Sequence, residues 1–355
     1  MAVVVGWDIG GAHLKAARAE DGRIVAAVQV AAPLRLGLER LTQSFAETKT
    51  QIGHADYHAV TMTGELADTF ASRAEGVASL AAAAERELAP GDVVVYAGRR
   101  GFVTSAEAAR HVADIASANW FASASLVGKV IESALFMDMG STTTDIVPIV
   151  DGGVAARGYS DVERLASGEL VYSGLVRSFL MAAAERAPFA GNWTTLIDEN
   201  FANMADVHRV LGSLPDGADQ MATADGRSKT VAASRARLAR MVGNDAGDAD
   251  GQTWAALAQW FAESQVRAVT DGAMLVLSQG TLPPDAPIVI AGAGSAILRE
   301  VVRRLGRDCV DFESLFDVTA AARAAASTSA PAAALAILAS LPGVAWPKQR
   351  ADAQT

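Results

Sequence analysis

Residues 134–150, ALFMDMGSTTTDIVPIV, constrain this chain more than any other stretch. An apolar run ends at Asp138, a glycine and four hydroxyl residues follow, and a second apolar run begins. The pattern predicts strand, tight turn, strand. Gly140 has no Cβ, so the backbone there can approach a ligand closely. Ser141, Thr142, Thr143 and Thr144 offer hydroxyl and amide hydrogens to phosphate oxygens. Asp138 and Asp145 offer the hard oxygens that Mg²⁺ or its waters require. An ordinary hairpin with a polar turn has the same pattern, so taken alone the stretch leaves both readings open.

The N-terminal stretch repeats the idea. Residues 3–17, VVVGWDIGGAHLKAA, run apolar strand, Asp8, the Gly10-Gly11 turn and a second strand. Two such turns suggest two related halves facing one ligand. A third element, residues 288–298 (IVIAGAGSAIL), is an apolar strand that enters Gly292-x-Gly294 and then a helix. Glycines ahead of a helix N-terminus make an anion or nucleotide site. A lone Gly-x-Gly is weak evidence; three such elements in this order are much stronger.

Composition narrows the partners. A length of 355 residues suits two domains or one large one, and 51% apolar residues supply ample core. The net charge of −10 argues against nucleic acid or an anionic membrane as the main partner, and a phosphorylated ligand would need local amides, a metal or a few Lys and Arg. Cys309 is the single cysteine, which rules out a disulfide framework and fits a reducing cytoplasm. Met1–Val5 lacks a basic region and Asp8 interrupts the apolar run, so no secretion signal is expected. The Ala-rich stretch 319–342 is too interrupted to span a membrane and reads as a packed helix broken near Pro331.

The remaining periodicity alternates strands and helices, as in an α/β protein. Strands are expected at 3–8, 14–20, 24–30, 58–63 and 93–97, with a turn at Glu20-Asp21-Gly22. Helices are expected at 36–51 and 66–88, and from an N-cap at Ser105 to about Ala118. A further strand is expected at 154–159, and helices from about 161 to 279, broken by polar, glycine-rich connections at 212–226 and 243–251. Strand 287–291, helix 295–305 and strand 308–312 complete the pattern. Residues 348–355 are expected to be disordered.

Several side chains carry candidate chemistry, each with a plainer alternative. Asp8 and Asp138 end strands at glycine turns, as metal ligands or turn caps. Lys15 reaches a phosphate or lies on an outer face. His13 in the turn is a ligand contact or a structural residue. Glu65 and Asp68 open a helix as dipole-stabilising acids, or Glu65 faces the cleft as a general base. Asn119 and Trp120 line a site, or cap a helix and fill the core. Glu169, Tyr172 and Ser173, and the cluster Asn192, Asp198, Glu199, Asn200 and Asn203, ring a substrate or form a solvated face. Arg99 and Arg100 meet a diphosphate or sit in an exposed turn.

The two phosphate-type loops and the 292–294 turn resemble the superfamily of sugar kinases, Hsp70 and actin. The stretches TMTGELAD (61–68), NW (119–120), the Asp138–Asp145 loop, GELVYSG (168–174) and NWTTLIDENFANMA (192–205) are more specific. They are similar to the hydantoinase/oxoprolinase-like branch linked to tetrahydromethanopterin-dependent one-carbon metabolism, and within it to the synthases of methanofuran and methylofuran biosynthesis. The resemblance implies a two-lobed actin-like (ribonuclease H-like) α/β fold. Residues 1–132 with about 320–355 would form the first lobe, and 133–319 the second, with a helical insertion at about 161–279. It implies a transferase that joins (5-(aminomethyl)furan-3-yl)methyl diphosphate to the phenol oxygen of a tyramine or tyrosine derivative, with release of diphosphate. In that reading Asp8 and Asp138 hold Mg²⁺. Gly10, Gly11, Lys15, Gly140, Ser141, Thr142, Thr143, Thr144, Gly292 and Gly294 bind the diphosphate, and Glu65 or Asp145 takes the phenol proton. Asn119, Trp120, Glu169, Tyr172 and Asn200 contact the organic substrate. Dehydratase activators of the superfamily carry an iron–sulfur cluster on several cysteines, which one cysteine cannot supply. Gly11-Ala12-His13 replaces the hydroxyl residues usual in sugar kinases, and the 292–295 loop is short in glycine, so ATP binding stays open. An ATP-dependent small-molecule kinase or amidohydrolase of the same superfamily is the alternative. A nucleotide-switched scaffold would need a peptide-binding or polymerising module, which is not evident. Assembly as a homo-oligomer is left open.

Overall fold

The computed structural model describes residues 3–347, so the expectation for 348–355 lies outside the described residues. The chain forms two compact units: Met1–Phe136 with Pro148–Asp161 and Val310–Thr355, and Met137–Val147 with Val162–Cys309. The fold is α/β, with two main sheets.

The first unit opens with three strands, β1 (Val3–Ile9), β2 (His13–Glu20) and β3 (Arg23–Ala31). Asp21 and Gly22, with φ of 50° and 81°, make the two-residue turn between β2 and β3, a geometry suited to the strands' twist. Helix α1 (Leu38–Ile52) buries Leu41, Phe45, Thr48 and Ile52, one stripe at helical spacing. Strand β4 (Tyr57–Met62) then lies parallel to β1, with Asp8 beside Thr61. Helix α2 is shorter than its periodicity suggested: a 3₁₀ turn covers Gly64–Leu66, and the helix runs Arg73–Leu88 from an N-cap at Ser72, whose hydroxyl accepts the Glu75 amide. Strand β5 (Asp92–Tyr96) is parallel to β4, and β6 (Phe102–Thr104) closes the sheet in the order β3-β2-β1-β4-β5-β6. The helix expected from Ser105 is instead a 3₁₀ segment, 105–110, capped by Thr104 and Glu107, followed by α3 (Val112–Ile115) and α4 (Asn119–Val130).

The second sheet is built on β7 (Ala134–Met139) and β8 (Thr144–Val150), the strands read around Asp138. The strand expected at 154–159 shrinks to β9 (Gly153–Val154), paired with β8 through an Asp151-Gly152 turn. Helix α5 (Asp161–Ser167) and β10 (Leu170–Val171) follow. The block expected to be helical to 279 holds α6 (Leu180–Ala183), but also an antiparallel hairpin, β11 (Arg186–Phe189) and β12 (Asn192–Thr195). Its turn places Ala190 at φ 50°, a conformation alanine signals poorly in sequence. Helices α7 (Met204–Leu211), α8 (Val231–Met241) and α9 (Gly251–Leu277) complete the block around Trp254, Leu257 and Phe261. Asp206, buried between α7 and α8, accepts from Arg237 at 2.7 Å and Ser234 at 2.7 Å, and Arg237 also binds Asp225. That network ties down the acidic 212–226 connection.

Strand β13 (Ile288–Ala291), α10 (Ser295–Leu305) and β14 (Cys309–Asp311) fall as the sequence predicts, and the sheet order is β10-β8-β7-β13-β14. The C-terminal segment forms α11 (Arg323–Thr328) and α12 (Ala330–Ser340), with the break just before Pro331. Helix α12 lies on β1 at Gly6, where a Cβ would collide with the Ala332 carbonyl. The Ala-rich face is thus the price of close helix-to-sheet approach.

Candidate active-site loops

In the second unit, β7 delivers Asp138 to a turn in which the Gly140 amide donates to the Thr143 carbonyl at 2.9 Å. The segment after β10 wraps this turn. Leu175 donates to the Gly140 carbonyl (3.0 Å), and Val176 and Arg177 both donate to the Ser141 carbonyl (3.0 and 2.8 Å). The Thr144 hydroxyl donates to the Ser173 carbonyl at 2.7 Å. Gly174 touches the turn so closely that a Cβ would lie 2.5 Å from the Thr142 backbone. With its carbonyls held from one side, the turn has three amides, of Ser141, Thr142 and Thr143, that donate to no acceptor among the described residues. Such a row of amides is an anion-binding concavity.

The wrapping segment is itself braced. Gln265 of α9, buried, donates to the Gly174 carbonyl at 2.8 Å and accepts from His208 of α7 at 2.9 Å. Burial pushes the His208 imidazole below its ordinary range, which keeps it neutral. The Gly292–Gly294 turn meets the same loop. A Cβ on Gly292 would collide with the Asp138 carboxylate, and the Gly294 amide donates to the Met139 carbonyl at 2.9 Å. Asp138, Gly140, Ser141, Thr142, Thr143, Gly292 and Gly294 are therefore brought together.

Asp145 and Glu169 sit beside this turn in structural positions. Arg164, 1% exposed, donates to Asp145 at 2.8 Å and to the Glu169 carbonyl at 2.9 Å. Glu169 is fully buried and accepts from Ser167. Tyr172 is 68% exposed, and Asn192 and Asn200 are exposed; Asn203 caps α7.

In the first unit, Asp8 ends β1 at a turn of the same construction, with the Gly10 amide donating to the His13 carbonyl at 2.9 Å. The Asn119 amide group approaches both Asp8 oxygens at 3.4 and 3.5 Å. Thr61, directly beside Asp8, is buried with no partner for its hydroxyl. Lys15 pairs in register with Asp8, and its ammonium donates to the Thr328 carbonyl at 3.1 Å. His13 is buried, and Trp120 is buried against Phe121 and Tyr159. Arg100 binds Asp114 at 2.6 Å, and Arg99 lies over the Tyr159 ring.

Glu65, 1% exposed, follows the β4 end that lies against the Ile9-Gly10 backbone. One of its oxygens accepts the Ser117 hydroxyl at 2.9 Å, and the other has no partner. Burial pushes its carboxyl above the ordinary glutamate range, with the Ser117 hydrogen bond opposing that shift. Ser117 holds an unusual φ of 54° and also approaches Asp161 at 3.3 Å, which in turn meets Arg73. Asp161 was hidden from sequence reasoning because 44 residues separate it from Ser117.

Mg²⁺ is the ion expected from the sequence. Among the described residues no three His, Cys, Asp or Glu side chains converge as a ready cage. Mg²⁺ on one or two carboxylates completed by substrate phosphates needs no such cage. Asp138, beside the hydroxyls and free amides of its turn, fits that mode.

A family model described as Hydantoinase/oxoprolinase matches residues 56–339. The "(4-{4-[2-(gamma-L-glutamylamino)ethyl]phenoxymethyl}furan-2-yl)methanamine synthase" of Methanocaldococcus jannaschii is 34% identical over 245 residues, covering 68% of this chain and 71% of that protein. The synthase of the same description from Methanococcus vannielii is 29% identical over 174 residues, covering 49% of this chain and 77% of that protein. Among solved structures, a nucleotide-free acetone carboxylase superposes with a TM-score of 0.57 at 12% identity, covering 93% of this chain and 70% of that one.

Proposed function

Because the chain belongs to the hydantoinase/oxoprolinase family, we propose that it is an enzyme of furan-cofactor (methanofuran-type) biosynthesis that forms an aryl ether. The product in the relatives' description joins a furan-bearing methylene to the oxygen of a phenol that carries a 2-(γ-glutamylamino)ethyl arm. The acceptor assigned here is that γ-glutamylated tyramine, and the donor is (5-(aminomethyl)furan-3-yl)methyl diphosphate. The phenol oxygen forms the new C–O bond at the furanylmethyl carbon. The bond from that carbon to the diphosphate oxygen breaks, diphosphate leaves with the electron pair, and the phenol proton passes to a base.

The observation that carries this reading is the turn after Asp138, whose three unpartnered amides suit a diphosphate leaving group. Ser141, Thr142 and Thr143 add hydroxyl donors. Asp138 is the carboxylate assigned to Mg²⁺, and Asp8, at the matching place in its own turn, is assigned the same chemistry. When bound, the ion would offset the negative charge that develops on the leaving oxygens. A free phenol has a pKa of about 10, so a base is required near neutrality. Glu65 is assigned that role over Asp145, because one Glu65 oxygen lacks a partner while Asp145 is already paired with Arg164.

The test is one incubation of the purified protein with the furan diphosphate, γ-glutamyltyramine and Mg²⁺, without nucleotide. Mass spectrometry should find the ether and an equal amount of diphosphate. ADP formation on adding ATP, with no ether, would move the protein to the kinase or amidohydrolase class.

A further inference from the structure

We infer that Arg177 is the cationic binding residue for the diphosphate end of the donor, a role that rests on the reading of the Asp138 turn above. A diphosphate needs positive charge beside it, and this chain carries a net charge of −10. The lysine singled out from sequence for that purpose, Lys15, has its ammonium on the Thr328 carbonyl. The loop of residues 140–144 contains no basic side chain. Arg177 supplies one from outside it.

Its backbone is fixed to the turn, because the Arg177 amide donates to the Ser141 carbonyl at 2.8 Å. Its guanidinium reaches the Thr142 hydroxyl at 3.4 Å, on the side chain of a residue whose own amide has no acceptor. The side chain is exposed and forms no ion pair among the described residues; Arg186, Arg227 and Arg307 of the same unit form none either, and Arg177 differs from them in being fixed to the Asp138 turn. A guanidinium fork without a carboxylate, carried on a backbone fixed to a turn with free amides, matches two phosphate oxygens of one group. The arrangement selects a dianionic or more highly charged phosphate ester over a neutral leaving group.

The experiment is titration of inorganic diphosphate with Mg²⁺ at constant ionic strength into four proteins: unaltered, Arg177→Ala, Arg177→Lys and Arg267→Ala. Arg267, 75% exposed and paired with Asp271, controls for the loss of one surface charge. Circular dichroism melting reports that each is folded. Arg177→Ala should weaken diphosphate binding at least about 10-fold, Arg177→Lys should restore part of it, and Arg267→Ala should change it less than about two-fold. The KM for the furan diphosphate should rise in parallel, with the KM for the phenol unmoved. Equal diphosphate affinity in the unaltered protein and a folded Arg177→Ala would overturn the assignment. No diphosphate binding by the unaltered protein would instead remove the reading of the turn on which it rests.

Discussion

The turn after Asp8 and the turn after Asp138 share one backbone and differ in what hangs on it. In each, the glycine two residues past the aspartate donates to the carbonyl three residues on, at 2.9 Å. In each, the carbonyl of the next residue is taken from outside: Gly11 by the Leu34 amide, Ser141 by Val176 and Arg177. The Asp8 turn then buries Ala12 and His13, whereas the Asp138 turn presents half-buried Ser141, Thr142 and Thr143. The shared hydrogen bonds make the Asp-x-Gly turn a scaffold, and the side chains decide its chemistry. The Asp138 turn is equipped for an anion. The Asp8 turn holds a carboxylate near Asn119, leaves Gly11 exposed and carries no hydroxyl side chains.

The largest effect that separates the two turns is on turnover. Asp138→Asn should lower kcat at least about 1,000-fold while the protein melts as before, because it removes the charge nearest the proposed leaving group. Asp8→Asn, in the turn that carries no hydroxyl run, should cost less, about 10- to 100-fold. Steady-state kinetics on the two folded variants measure the gap, and equal losses would erase the distinction drawn here.

Each unit also buries a histidine, and acid should find His58, the one bonded to Trp7 of β1. Trp7 donates its indole N–H to His58 Nδ1 at 3.1 Å, and burial lowers that imidazole to about 4. The unfolded chain takes up the proton near the ordinary value of 6.5, and the folded chain only near 4. The stabilisation is therefore complete above pH 6.5 and is lost as pH falls from there towards 4, by about 3 kcal/mol at most. His58→Gln keeps an acceptor for Trp7 and cannot titrate. Urea midpoints at pH 7.5 and 4.5 should converge more in that variant than in the unaltered protein.

These contrasts divide what the sequence makes legible from what it hides. The strands around Asp8 and Asp138 were readable because an apolar run that stops at Asp-x-Gly has few other uses. So were the Asp21-Gly22 turn and the break before Pro331, where local backbone chemistry decides. The β11–β12 hairpin was not, since an Ala-Gly turn amid alanine-rich helices carries no local mark. The site divides in the same way. Gly140 and the hydroxyl run could be read locally as a candidate phosphate loop, a pattern that an ordinary polar hairpin shares. Gln265 and Arg177 could not: their meaning comes from long-range contacts, Gln265 lying 91 residues from Gly174 and Arg177 lying 35 from Thr142. Arg164 gave no hint either that Asp145 would be engaged in an ion pair.

The smallest predicted effect concerns how rigidly each turn is held, and two glycines probe it. Gly174 lies on the Asp138 turn with the Thr142 and Ser141 backbone 2.5 to 2.7 Å from any Cβ, so a methyl group has only main chain to push. Gly64 lies on the Asp8 turn, where the first atom met is the Leu34 Cδ1 at the far end of a side chain and the backbone begins at 3.2 Å. Gly174→Ala should therefore cost about 1 to 3 kcal/mol and raise the KM for the furan diphosphate, because the displaced carbonyls are the ones that orient the free amides. Gly64→Ala should cost about 1 kcal/mol or less, since a rotamer change relieves it. Urea titration ranks the two. A Gly174→Ala protein with unaltered stability and unaltered KM would show that the wrapping segment yields freely, and that the Asp138 turn keeps its shape without it.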